Sequence, residues 1–98
     1  MKYIIALVED AKLGRVLQEL DLNEIYLKVV SRVTGMGRET RTPMFRLEIA
    51  VNENYVRPTI DAILSGARGD GGDGKVFIQQ LEQCIRIRTG ETGSIAIG

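Results

Sequence analysis

The sequence predicts a single α+β domain over residues 1–98, in the order β-α-β-β-α-β with an extra C-terminal strand. Two stretches repeat apolar residues at helical spacing, Leu13-Val16-Leu17-Leu20 and Val56-Ile60-Ile63-Leu64. Two others alternate at period two, Ile25 to Val33 and Phe45 to Val51, as half-buried strands do. No linker or low-complexity segment divides the 98 residues, a length that fits one domain.

Lys2 to Val8 is apolar and β-branched on both parities, a strand covered on two faces or lying at an interface. Asp10 is placed to cap a helix through about Leu20, which Gly14 weakens by up to about 1 kcal/mol relative to Ala. Asp21 to Glu24 form the turn into a strand from Ile25 to Val33, with Ile25, Leu27, Val29 and Val33 on one face and Lys28 and Arg32 on the other. The polar run Thr34 to Thr42 reads as a loop, and Pro43 opens a strand in which Phe45, Leu47, Ile49 and Val51 alternate with Arg46 and Glu48. Asn52 or Asn54 caps a second helix through about Ser65, with Pro58 in or just after its first turn, where a missing N–H is least costly. Gly66 to Lys75 is a Gly- and Asp-rich loop, Val76 to Leu81 a strand, Cys84 to Arg88 a short strand, and Thr89 to Gly98 a tail. This order fits the ferredoxin-like plan.

Composition removes several function classes. Thirteen Lys and Arg cancel thirteen Asp and Glu, so no overall field draws nucleic acid or anionic lipid. The run Ile4 to Val8 is far shorter than the roughly 18–20 residues of a membrane span, and Glu9 and Asp10 follow where a signal peptide would be cleaved. A single cysteine, Cys84, excludes an internal disulfide and reads as core packing; without any His, a zinc site and the commonest general base are also missing. These features read as a cytoplasmic, non-enzymatic domain. With two Phe, three Tyr and no Trp to anchor its core, a chain this short gains from association with further copies.

Three segments have residue types suited to binding. Gly69 to Lys75 satisfies G-x-x-x-x-G-K, but Val76 replaces the hydroxyl residue that a P-loop uses on Mg²⁺, and a strand follows instead of a helix. It is not a P-loop NTPase. Its glycine N–H groups and Lys75 can still cradle phosphate, although a plain β-connection fits the loop equally well. In Ile85-Arg86-Ile87-Arg88, strand alternation would put the two Arg on one face about 7 Å apart, with the two Ile inward. Such a pair can straddle phosphates or pair with carboxylates such as Glu48. Gly35-Met36-Gly37-Arg38 lacks the third Gly of a dinucleotide fingerprint and reads on its own as a turn.

In order and spacing, Gly35-Met-Gly-Arg38, Gly72-Asp-Gly-Lys75-Val-Phe and Ile85-Arg-Ile-Arg-Thr-Gly-Glu91 resemble the PII signal-transduction family, as do Lys2 to Val8 and Lys12-Leu13. The resemblance covers nearly the whole chain and implies a ferredoxin-like homotrimer. Such a trimer binds adenine nucleotides (ADP, AMP or ATP, with Mg²⁺ only alongside ATP) between subunits and regulates a transporter or enzyme by contact. By position it implies that Gly35, Gly37 and Arg38 stand at the base of the family's regulatory loop. Gly72, Asp73, Gly74 and Lys75 would cradle the phosphates, Arg86 and Arg88 would reach them from the neighbouring subunit, and Leu7, Val29, Glu48 and Ala50 would line the adenine and ribose part. Val29 stands where the family usually has a hydroxyl residue.

Other departures bear on regulation. Only a few residues separate Arg38 from Pro43, and none is Tyr, so neither tyrosine uridylylation nor channel plugging by a long loop is expected. Glu39 replaces the family's Gln beside the Arg and would repel 2-oxoglutarate. Met44 replaces the Lys that supports the outer phosphate; losing one charge-assisted contact removes about 1.5–3 kcal/mol. ADP or AMP should therefore rival or beat ATP. The expected role is a non-catalytic adenylate sensor, with a link to inorganic carbon (bicarbonate, carboxysome) as its finer form. The alternative is a nitrogen regulator binding ATP and 2-oxoglutarate and acting on ammonium transport or glutamine synthetase. A slow ATPase using Asp70, Asp73 or Glu39, and a structural trimer with a vestigial site, are the competing classes.

Overall fold

β1 (Lys2–Glu9) lies inside a four-stranded antiparallel sheet, in a computed structural model that describes residues 1–69 and 74–98. β2 (Val29–Met36), β3 (Arg41–Val51) and β4 (Lys75–Gln80) complete it in the order β2-β3-β1-β4. Ile4 faces Ile49 on one side and Ile78 on the other, and Val29 faces Glu48. α1 (Leu13–Leu22) and α2 (Glu53–Ala67) pack together over one face of the sheet. Ile4, Ala6 and Val8 meet Leu47, Ile49 and Val51 there, beneath Val16 and Leu20 of α1 and Ala62 and Ile63 of α2. This is the ferredoxin-like plan that the element order predicts.

Local chemistry shifts several boundaries. Asp10 does not cap a helix: it opens a 3-10 turn, Asp10–Lys12, and its carboxylate pairs with Arg32 at 3.0 Å. β2 begins at Val29, four residues later than the alternation suggests. Lys28 Nζ donates to the carbonyls of Ile25 and Tyr26 at 3.1 and 2.9 Å and to Asp21 at 2.9 Å, which holds this stretch out of a ladder. Ile25 still reaches the core, but Leu27 is 79% exposed.

The polar run after Val33 is no loop. Its ends form strand pairs, Thr34 with Pro43 and Met36 with Arg41, and the turn spans residues 37–40, closed by Gly37 N–H donating to the Thr40 carbonyl at 3.0 Å. The backbone supplies the pairing that side-chain polarity does not advertise.

α2 outlasts the expected end at Ser65 and buries Thr59, Ala62, Ile63 and Gly66, while Leu64 points outward. Pro58 falls in the second turn. Thr59 can be buried because its hydroxyl donates to the Tyr55 carbonyl at 2.7 Å. Gly66 is required by the helix crossing, since a Cβ there would stand 2.6 Å from Val16 Cα.

Among the described residues no C-terminal fifth strand forms. Ile85 makes one isolated bridge to Thr92, the chain turns at residues 87–89, and a short α3 (Ser94–Ile97) follows. Alternating Ile and Arg are not enough for a strand when no neighbouring edge pairs with them. No helix among the described residues is long and apolar enough to cross a membrane.

Candidate functional site

Strand parity places several predicted contacts on the sheet face away from α1 and α2. Because Ile4, Ala6 and Val8 point to the helices, Leu7 points the other way, as do Glu48, Ala50, Val29, Gly35 and Lys75 by register. Val29, Glu48 and Ala50 line one cavity of about 180 Å³ with Tyr3, Leu27, Lys28, Cys84, Ala96 and Ile97. Leu7, Gly74 and Lys75 line another, of about 160 Å³, beside the C-terminal end of α2.

Glu48 is the electrostatic centre of the first cavity. The Tyr3 hydroxyl donates to its carboxylate, and Arg46 approaches it at 3.7 Å. That hydrogen bond, with partial burial and the nearby carboxylate charge, raises the Tyr3 phenol above its ordinary value. Cys84 lines this cavity half-buried and is not a core residue. Sequence reading missed Tyr3 as a partner of Glu48. The strand pattern showed its parity, but only the register sets it opposite Ala50, one step along from Glu48.

In the second cavity, Gly74 fits against β1 so closely that a Cβ would lie 2.7 Å from the Leu7 carbonyl oxygen. This contact sets Lys75 as the first residue of β4, opposite Leu7. Gly72 and Asp73, predicted for the phosphate cradle, and Asp70 lie outside the described residues.

The remaining predicted contacts line neither cavity. Gly35 lies under Met44, where a Cβ would meet the sulfur at 2.7 Å, and Met44 is buried. Gly37 and Arg38 sit in the exposed hairpin turn. Arg86 and Arg88 do not share a strand face, because the chain turns at residues 87–89; Ile85 and Ile87 point outward, Ile87 fully exposed. Arg86 donates to the Gly98 carbonyl at 2.6 Å, and Arg88 is exposed. Neither Arg forms the alternative pair with Glu48, whose cation is Arg46.

The sheet and its one covered face define a small ferredoxin-like α+β domain, with the candidate contacts divided between two cavities. Comparison with known proteins then gives the family. The model for the family "Nitrogen regulatory protein P-II" matches residues 1–91, and the chain belongs to that family, whose members are regulatory. It is 40% identical to nitrogen regulatory protein GlnK1 of Methanosarcina mazei over 114 positions, covering 99% of this chain and 97% of that protein. It is 35% identical to nitrogen regulatory protein P-II of Cereibacter sphaeroides, covering 99% and 100%. The crystal structure of Arabidopsis thaliana PII bound to citrate superposes with a TM-score of 0.88 at 33% identity, covering 97% of this chain and 90% of that one.

Proposed function

We infer that this protein is a non-catalytic regulator that holds an adenine nucleotide in clefts between the copies of a homotrimer. The observation that carries this reading is the division of the candidate contacts into two separate cavities. Val29, Glu48 and Ala50 suit a base and ribose; Gly74 and Lys75 suit phosphates; Leu7, expected beside the base, lies with Gly74 and Lys75, and one chain does not unite the two sets. A second copy would bring the halves together. The open sheet face supports assembly: Val29 is 59% and Phe77 46% exposed. A relative that carries bound citrate also fits a site suited to multiple anionic oxygens.

ADP and AMP rival ATP in this reading, because buried Met44 supplies no cation and Val29 no hydroxyl. Mg²⁺ enters only with ATP, and 2-oxoglutarate has little effect beside Glu39. The signal passes by contact to a transporter or enzyme, with inorganic carbon as the finer assignment. The relatives' names favour a second reading, nitrogen control through ATP and 2-oxoglutarate. The hairpin turn at residues 37–40 opposes contact through a long loop.

Calorimetry with ATP, ADP and AMP, each with and without 2-oxoglutarate and bicarbonate, decides between them, together with the solution mass. The expected result is a trimer binding ADP or AMP at least as tightly as ATP, weakened about tenfold by Lys75→Ala or Arg86→Ala. A bicarbonate effect supports the carbon assignment. ATP binding strengthened by 2-oxoglutarate would establish the nitrogen reading instead. A monomer that binds no nucleotide would remove both.

A further inference from the structure

Tyr3 lines the cavity around Glu48 and has no part in the reading above. Register sets Tyr3 opposite Ala50 and Glu48 opposite Ile5, so the phenol reaches diagonally to the carboxylate across the open face of the sheet. Its hydroxyl donates to Glu48 Oε1, and Arg46, two residues back along β3, approaches the same oxygen at 3.7 Å. Among the described residues both contacts fall on Oε1 and neither uses Oε2, which leaves that oxygen for a donor on a ligand. The phenol is raised above its ordinary value, so Tyr3 keeps its proton and remains a donor at neutral pH.

The rest of the lining does not compete with Glu48 for a polar ligand group. Lys28 directs its three N–H groups to Asp21 and to the carbonyls of Ile25 and Tyr26. Val29, Ala50 and Ile97 add apolar side chains around the carboxylate. An acceptor in apolar surroundings separates a group that brings an N–H from one that brings another lone pair. It does so only when held in place. A glutamate free to rotate about its side-chain torsions can turn away from an unsuitable partner, and must be ordered to meet a suitable one. A donor fixed on a neighbouring strand removes that freedom.

We propose that Tyr3 is a positioning residue that makes the Glu48 site select a purine with an amino group at position 6 over one with an oxo group there. The inference rests on the nucleotide reading above and adds to it the residue that enforces the choice of base. Held by Tyr3, the carboxylate accepts from the amino group of adenine. Against the oxygen of a 6-oxo purine it sets two acceptors face to face.

Calorimetry on the full chain with ADP and inosine diphosphate, which differ only around position 6 of the base, tests this with wild type, Tyr3→Phe, Glu48→Ala and the double variant. Tyr3→Phe keeps the ring and removes the hydroxyl, and circular dichroism checks that the fold is kept. It should weaken ADP about fivefold and change inosine diphosphate by less than about twofold, so the preference for ADP shrinks. In the Glu48→Ala background the same change should leave the preference where it stands, since Tyr3 acts through that carboxylate. A wild type without preference, equal losses of both ligands in Tyr3→Phe, an unchanged preference, or a further fall in the double variant would overturn the role of Tyr3 and leave the nucleotide reading standing. A wild-type protein that binds neither ligand would overturn both.

Discussion

Replacing Gly74 by Ala tests how the fold positions the candidate phosphate site. An added Cβ would stand 2.7 Å from the Leu7 carbonyl oxygen and 3.8 Å from its carbon. A carbon–oxygen contact needs about 3.3 Å, so β1 and the start of β4 must part by roughly half an ångström. Both sides are backbone, and no flexible side-chain end can yield. The expected cost is about 1–3 kcal/mol, with the loss falling on the end of the β1–β4 ladder where Leu7 faces Lys75. Urea unfolding at fixed protein concentration should show a lower midpoint with an unchanged slope. The displaced Lys75 should weaken ADP binding about tenfold in calorimetry. Gly14→Ala is the matched control: nothing lies within 4 Å of its added carbon in α1, so the same change should stabilise by about 0.4–1 kcal/mol. A Gly74→Ala protein with wild-type midpoint and wild-type ADP affinity would refute the argument.

Gly66→Ala should destabilise by about 1–3 kcal/mol in the same unfolding assay, because its Cβ would meet the Val16 backbone at 2.6 and 2.7 Å where α1 crosses α2; an unchanged midpoint would mean the helices do not cross this closely. The raised Tyr3 phenol makes stability sensitive to alkali. Its contribution is complete below the unfolded value of about 10 and is lost as pH rises through the higher folded value. Ultraviolet titration of phenolate should therefore show a late step that Tyr3→Phe abolishes. A titration curve at high pH that Tyr3→Phe leaves without loss of a late step would mean that the bond to Glu48 does not form.

The two main helices, β1 and the middle of β3 were legible because burial on one face imposes a period that apolar residues must follow. The end of α2 was not: Gly66 is part of the helix because α1 passes over it, a tertiary reason that local propensity cannot express. Ile25 and Leu27 keep the period of β2 without joining it, since Lys28 occupies carbonyls of that stretch. Residues 34–42 hid their pairing behind polar side chains, and Ile85 to Arg88 displayed a strand pattern with no edge to join. For the candidate site, the family resemblance grouped Leu7 with Val29, Glu48 and Ala50, and Gly74 with Lys75; in the structure Val29, Glu48 and Ala50 do line one cavity, but Leu7 lies in the other with Gly74 and Lys75. Neither the resemblance nor the spacing could reveal Tyr3, whose place beside Glu48 depends on strand register.

The hairpin joining β2 and β3 has a thermodynamic consequence for any protein that grips it. Ordering a flexible arm on contact costs about 1–2 kcal/mol per residue in lost backbone freedom. Here the tip is already tied by the bond from Gly37 to Thr40, with ladder pairs directly beneath it. Docking there incurs almost none of that entropy cost, yet a tip so short and stiff has no slack with which to mould itself to a second, differently shaped surface.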